Sequence, residues 1–141
     1  SRSAFRRPPT MQLMDASVTV TAFDHLVLRC GDVETTLAWY VDVLGLQALR
    51  VKEWRNGEVP FPSVRVDAGT IIDLIGRGTE PSDGSVDHFC LVIDEVDLDS
   101  LASSGVFDVV EGPATRYGAR GNGRSLYVHD PDGAIVELRH Y

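Results

Sequence analysis

The sequence predicts an α+β fold built as two tandem βαβββ modules. Residues 23–30 and 86–93 both open on an Asp-His pair, Asp24-His25 and Asp87-His88, and run on as apolar strand-like segments. Each segment is followed by a capped helical pattern and then by three further strand-like runs. The spacing agrees as well. His25 and Asp73 stand 48 positions apart and His88 and Glu137 stand 49 apart, so a histidine opens each half and a carboxylate sits in its last strand.

Taken in order, residues 1–20 read as an Arg- and Pro-rich leader, disordered or derived from a tag. The strand at 23–30 places Phe23, His25, Val27 and Arg29 on one face, with Asp24, Leu26, Leu28 and Cys30 on the other. Asp32 is an N-cap, and Val33, Leu37, Tyr40, Val41 and Leu44 form the buried stripe of a helix that Gly45 stops. Strands are expected at 46–54, 64–67 and 70–75, with a turn at Asn56-Gly57 between the first two. Module 1 thus spans about 21–76, and 77–85 is a linker.

Module 2, about 86–141, opens on the second Asp-His strand. Its helix is capped by Asp97, carries Leu98, Leu101 and Ala102 inward, and stops at Gly105. A strand at 106–110 is followed by a long loop at 112–123. Strands at 124–129 and 134–139 are joined by an Asp130-Pro131-Asp132-Gly133 turn. Glu137 interrupts the last apolar run, as Asp73 interrupts residues 70–75. A carboxylate so placed is salt-bridged (Arg139 is near), at an exposed edge, or a ligand. The two histidines in matching places favour the ligand.

With 141 residues, 43% of them hydrophobic, the chain can bury one sizeable core. A net charge of −8 argues against nucleic acid or an anionic membrane as the main partner. No apolar run reaches the roughly 20 residues of a membrane span. Arg2, Arg6 and Arg7 precede no apolar core of a secretory signal, so the expected location is cytoplasmic. Cys30 and Cys90 lie in apolar runs without a CxxC pair and read as small buried hydrophobes.

Two imidazoles and a carboxylate suit a borderline or hard divalent metal and leave coordination positions open. Arg116, Arg120 and Arg124, set among glycines, could present guanidinium and backbone N–H donors to an anion, or belong to a solvated loop. Tyr127, Trp54 and Phe61 could line a substrate cleft or pack in the core. His129 reads as a turn residue and His140 as solvated.

Asp24-His25-Leu26-Val27-Leu28, the helix end Ala38-Trp39-Tyr40…Leu44-Gly45-Leu46, Asp87-His88-Phe89 and Asp130-Pro131-Asp132-Gly133…Glu137-Leu138 together resemble the vicinal oxygen chelate superfamily. That group includes glyoxalase I, bleomycin-resistance proteins, fosfomycin-resistance enzymes, methylmalonyl-CoA epimerase and extradiol dioxygenases. The resemblance runs from about residue 23 to 141. It looks nearest to small glyoxalase-domain proteins through Glu111-Gly112-Pro113…Arg116…Gly118-Ala119…Gly121.

The resemblance implies a curved, mostly antiparallel sheet around a metal cleft. It implies that His25, His88 and Glu137 bind one divalent ion (Ni, Co, Mn, Zn or Fe), and that the protein is a homodimer acting on a small molecule. In the glyoxalase I branch a fourth ligand, usually Glu, occupies the place of Asp73. Asp73 is one methylene shorter, so it ligates directly, acts through water, serves as a base, or does none of these. The implied activity is that of a metal-dependent lyase or isomerase. The ion would hold neighbouring oxygens of a small anionic substrate and stabilise an enediolate or oxyanion. Glu137 or Asp73 would move the proton, and Arg116, Arg120, Arg124 and Tyr127 would bind substrate. The alternatives are an Fe(II) extradiol dioxygenase, a fosfomycin-type thiol transferase and a drug-binding protein without catalysis.

Overall fold

The computed structural model of the chain describes residues 16–77, 84–129, 131 and 133–141. Eight strands form one curved, unclosed sheet: β1 (Val20–Cys30), β2 (Gln47–Leu49), β3 (Ser63–Asp67), β4 (Thr70–Gly76), β5 (Val86–Ile93), β6 (Asp108–Gly118), β7 (Gly121–His129) and β8 (Ile135–His140). Their spatial order is β2-β3-β4-β1-β5-β8-β7-β6. The two halves meet where β1 runs antiparallel to β5. β4 lies parallel to β1 on one side of this seam and β8 parallel to β5 on the other. The first and last strands of both halves therefore occupy the four central positions, and these strands carry the histidines and carboxylates.

A helix from each half covers the opposite face. Asp32 starts α1 (Val33–Ala38), accepting from the Glu34 N–H and the Thr35 hydroxyl; loss of such a cap costs about 1 kcal/mol. Leu37 packs with Cys30, Val64 and Leu74. The α3 helix (Leu98–Ser103) is capped by Asp97 and sends Leu98 against Ile93, Leu126, Val128 and Leu138. Each such fully buried aliphatic side chain stabilises the fold by roughly 1.5–3 kcal/mol.

Four sequence expectations need correction. A π turn over Trp39–Val43 widens the end of α1 and rotates its apolar stripe, so Leu44 is exposed and Leu46 packs on the core in its place. Residues 46–54 are not one strand: β2 ends at Leu49, Arg50 takes a left-handed conformation (φ 61°), and α2 (Val51–Arg55) follows. Val51 and Trp54, three apart, both pack on the core beside Leu37, a spacing a helix satisfies and a strand does not. The expected loop at 112–123 is a β-hairpin, in which β6 and β7 stay paired as far as Gly118 and Gly121. Finally, the end of the expected leader is tied to the fold: Val18 packs against the core around Leu98, and the Thr19 carbonyl accepts from the Asp94 N–H, while Ala16, Ser17, Thr19 and Val20 are exposed. The rest of the expected leader lies outside the described residues, as do most of the linker and Asp130 and Asp132 of the final turn.

Candidate metal centre

The concave face of the sheet carries His25 and Val27 of β1, Asp73 and Ile75 of β4, His88 of β5, Tyr127 of β7 and Glu137 of β8. All line one cleft of about 400 Å3. Register explains the convergence. His25 pairs with Cys90, and Cys90 with Glu137; His88 and Asp73 both pair with Val27. Partners across a ladder point to the same side, as do residues two apart on one strand.

Two β-bulges complete the arrangement. Between the pairs Phe23–Leu91 and His25–Cys90 the register slips, leaving Asp24 as the extra residue on β1. Between Val27–His88 and Leu28–Val86 it slips again, leaving Asp87 as the extra residue on β5. Strict alternation would send each aspartate to the face opposite its histidine, whereas a bulge re-aims it. The Nδ1 atoms of His25 and His88 thus stand 2.7 Å from carboxylate oxygens of Asp24 and Asp87. Donation from Nδ1 leaves Nε2 directed at the cleft in both rings.

Both Nε2 atoms meet the same oxygen. His25 Nε2 is 3.1 Å and His88 Nε2 3.0 Å from Glu137 Oε1. The other oxygen of Glu137 is held by the Ser125 hydroxyl at 2.7 Å and by Arg139 Nη1 at 3.1 Å. Arg139 is completely buried and also donates to the carbonyls of Arg116, Tyr117 and Gly121. The glycines around it make that possible. A Cβ on Gly118 would stand 2.5 Å from the Arg139 guanidinium carbon, and one on Gly123 would stand 2.8 Å from its Nη2. The Gly- and Arg-rich stretch is therefore a cradle for Arg139, with carbonyls rather than N–H groups turned towards the guanidinium.

These contacts shift the titrations. Burial alone would pull the His25 imidazole down, but hydrogen bonding to Asp24, Cys90 and Glu137 outweighs it and pushes the group up to about 12. His88 is raised against burial by Glu137 and Asp87. Glu137 is held well below the usual carboxylate range despite its burial, chiefly by the two histidines. Asp73 moves the other way, raised by burial, although Ser63 donates a hydrogen bond to it. Its Oδ2 lies 3.8 Å from His25 Nε2.

A divalent ion suits this donor set. Two imidazole nitrogens and one carboxylate oxygen lie within 4.8 Å of one another in a single chain, each fixed from behind by a further hydrogen bond. The cluster of charge-stabilised donors around one oxygen is what an ion would replace with coordination bonds.

Of the residues expected to bind substrate, Arg116 and Tyr127 line the cleft; Arg120 and Arg124 do not. The Arg120 guanidinium lies 4.3 Å from the centre of the Tyr141 ring, and Arg124 is exposed opposite His140. Phe61 lines the cleft while Trp54 packs on the core. His129 sits at the surface, 3.1 Å from Asp108. Sequence reasoning missed Ser63, Ser125 and Arg50 altogether. The sequence offers Asp24 and Asp87 as halves of a repeated Asp-His pair, with Asp24 on the face opposite His25, and Arg139 only as a rival partner for Glu137. The repeated Asp-His dipeptide was the available signal for the aspartates; nothing local marks the serines.

Comparison with known proteins gives the family and the fold. The family model of the Glyoxalase/Bleomycin resistance protein/Dioxygenase superfamily matches residues 22–138. The chain belongs to that superfamily. A virulence protein of Salmonella typhimurium, STM3117, is 32% identical over 127 residues, covering 86% of this chain and 85% of that protein. The glyoxalase domain-containing protein RDO1 of Mycosarcoma maydis is 34% identical over 149 aligned positions, covering 99% of this chain and 79% of that protein. Among solved structures, the Mn(II)-bound glyoxalase of Novosphingobium aromaticivorans shares the fold. Its TM-score is 0.64 at 19% identity, covering 87% of this chain and 40% of that one. Superfamily members include enzymes, and among the described residues no helix is long and apolar enough to cross a membrane.

Proposed function

We propose that this protein is a divalent-metal-dependent lyase or isomerase of the glyoxalase type, acting on a small, oxygenated, anionic substrate. The observation that supports it most is the meeting of His25 Nε2, His88 Nε2 and Glu137 Oε1 at the wall of a cleft of about 400 Å3. That volume lies at the small end of ligand sites. The bound ion would supply Lewis-acid stabilisation of negative charge developing on a substrate oxygen.

The chain's own groups do the rest. Asp24 and Asp87 orient the imidazoles, and Arg139 and Ser125 fix Glu137. Glu137 is committed to the ligand set by its contacts with both histidines, so proton transfer falls to Asp73. Its carboxylate faces the same cleft and is held by Ser63. Burial favours its neutral form, which brings its basicity closer to what removal of a proton from carbon requires. Tyr127 and Arg116 flank the cleft, where they can orient substrate oxygens. We further propose that the protein acts as a homodimer in the cytoplasm.

The test is to strip the protein, reload it singly with Ni, Co, Mn, Zn or Fe(II), and assay isomerisation of hemithioacetals formed from α-ketoaldehydes and thiols, with solvent deuterium uptake as a second readout. Metal-dependent isomerisation or exchange that disappears in His88→Ala supports the proposal. Oxygen consumption on catechols by the iron form, with no isomerisation by any form, would replace it with the dioxygenase reading.

A further inference from the structure

We propose that Arg50 is a substrate-anion site in this cleft, and that the substrate carries a carboxylate separate from the oxygens presented to the histidines and Glu137. The inference rests on the metal-dependent reading of the cleft and deepens it by naming a feature of the substrate.

Among the arginines lining the cleft, Arg50 differs in being uncommitted. Arg116 pairs with Glu111 at 2.8 Å. Behind the cleft, Arg139 pairs with Glu137 at 3.1 Å. The side-chain contacts of Arg50 are with ring faces instead, and its charge acts on the Asp73 carboxylate across the cleft without a hydrogen bond or close ion pair. Its guanidinium carbon lies 3.8 Å from the centre of Tyr117 and 5.1 Å from that of Phe61. Phe61 and Tyr117 line the same cleft, as does Arg50 itself.

Nη1 of Arg50 is buried and has no hydrogen-bond partner among the described residues. Leaving a charged donor both desolvated and unpaired is costly, and native proteins rarely do it without an external acceptor. The backbone points the same way. Arg50 is the one described non-glycine residue with positive φ (61°), a conformation disfavoured by any Cβ and found repeatedly at ligand sites. That conformation separates β2 from α2 and delivers the side chain to the cleft.

The shape of the guanidinium limits which anion it can hold. Its carbon lies over the Tyr117 ring, and its N–H donors lie in the guanidinium plane. A planar carboxylate can accept two parallel N–H bonds there. Cation–π contact holds the group in place before the acceptor arrives, which reduces the entropy lost on binding.

The experiment uses α-ketoglutarate, whose α-keto acid end offers two neighbouring oxygens to an ion, and α-ketovalerate, which replaces the distal carboxylate by a methyl group. Mn(II) binding to the protein is measured first by calorimetry, and its absence would count against the metal-dependent reading alone. On the loaded protein, α-ketoglutarate should bind about tenfold more tightly than α-ketovalerate. Arg50→Met should abolish that preference while leaving α-ketovalerate and Mn(II) affinities unchanged, and Arg50→Lys should restore part of it. Equal preference in the wild type and Arg50→Met would overturn the assignment.

A second arm needs no metal. In metal-free protein, glutarate should shift the Arg50 Nε–H resonance in a nitrogen-proton correlation spectrum; no shift at saturating glutarate would overturn the proposal even if the metal reading stands. Inorganic phosphate displacing glutarate at equal concentration would overturn the carboxylate assignment in favour of a tetrahedral anion.

Discussion

Gly118→Ala should disrupt Glu137 without touching it. Gly118 does not have positive φ, so alanine is conformationally acceptable there and its cost is steric. The new methyl carbon would stand 2.5 Å from Arg139 Cζ, 2.6 Å from Nη1 and 2.7 Å from the Tyr141 hydroxyl. Arg139 cannot simply swing away, because three carbonyls and Glu137 hold it and it is fully buried. Losing one charge-assisted hydrogen bond costs about 1.5–3 kcal/mol, and breaking a buried ion pair outright roughly 3–5 kcal/mol. A cost of about 3 kcal/mol is expected, seen as a fall of roughly 10 °C in the melting temperature of metal-free protein. The assay is a double-mutant cycle by urea unfolding with Arg139→Ala. If the clash with the guanidinium is the cause, Gly118→Ala should cost under about 1 kcal/mol once Arg139 has been truncated. Equal costs in both backgrounds would refute the reasoning.

Other outcomes follow from the same geometry. Asp24→Asn and Asp87→Asn should each weaken metal affinity by about 10–100-fold, measured by competition with a chromogenic chelator, with the fold retained. Asp73→Asn should lower turnover while leaving metal content unchanged; loss of the ion in that variant would make Asp73 a ligand instead. In metal-free protein His25 is raised from 6.5 to about 12, so its contribution to stability is complete below about pH 6.5 and declines as pH climbs towards 12. Glu137 is depressed from 4.5, so its contribution is present above that value and declines as pH falls further. Thermal unfolding with chelator present should therefore show metal-free stability falling from pH 6.5 to 9. The stabilisation added by a divalent ion should rise over the same interval, as protons cease to compete for the ligands.

Much of this was legible in the sequence because the chain repeats itself. The matched Asp-His strands and the nearly equal spacings to Asp73 and Glu137, 48 and 49 positions, placed four side chains on strands that a two-module sheet brings to its centre. What could not be read was whatever depends on departures from regular periodicity. Alternation put Asp24 opposite His25, and only the bulge turns it round to reach Nδ1. The stripe on α1 predicted a buried Leu44, but the π turn shifts the register by one residue. The glycines at 118 and 123 looked like a flexible anion-binding loop because their reason for being small, the guanidinium of Arg139, comes from a strand some twenty residues away. Arg50 was hidden inside an apparent strand, since no local signal marks an arginine adopting positive φ.

The proposed function requires one ion to be held within a single chain by His25, His88 and Glu137. Anomalous diffraction at the absorption edge of the metal, on crystals grown with Mn(II) or Zn(II), tests it most directly. A single peak is expected about 2.0–2.2 Å from His25 Nε2, His88 Nε2 and Glu137 Oε1 of the same chain. A peak bound elsewhere, or one that draws these ligands from two chains, would contradict it.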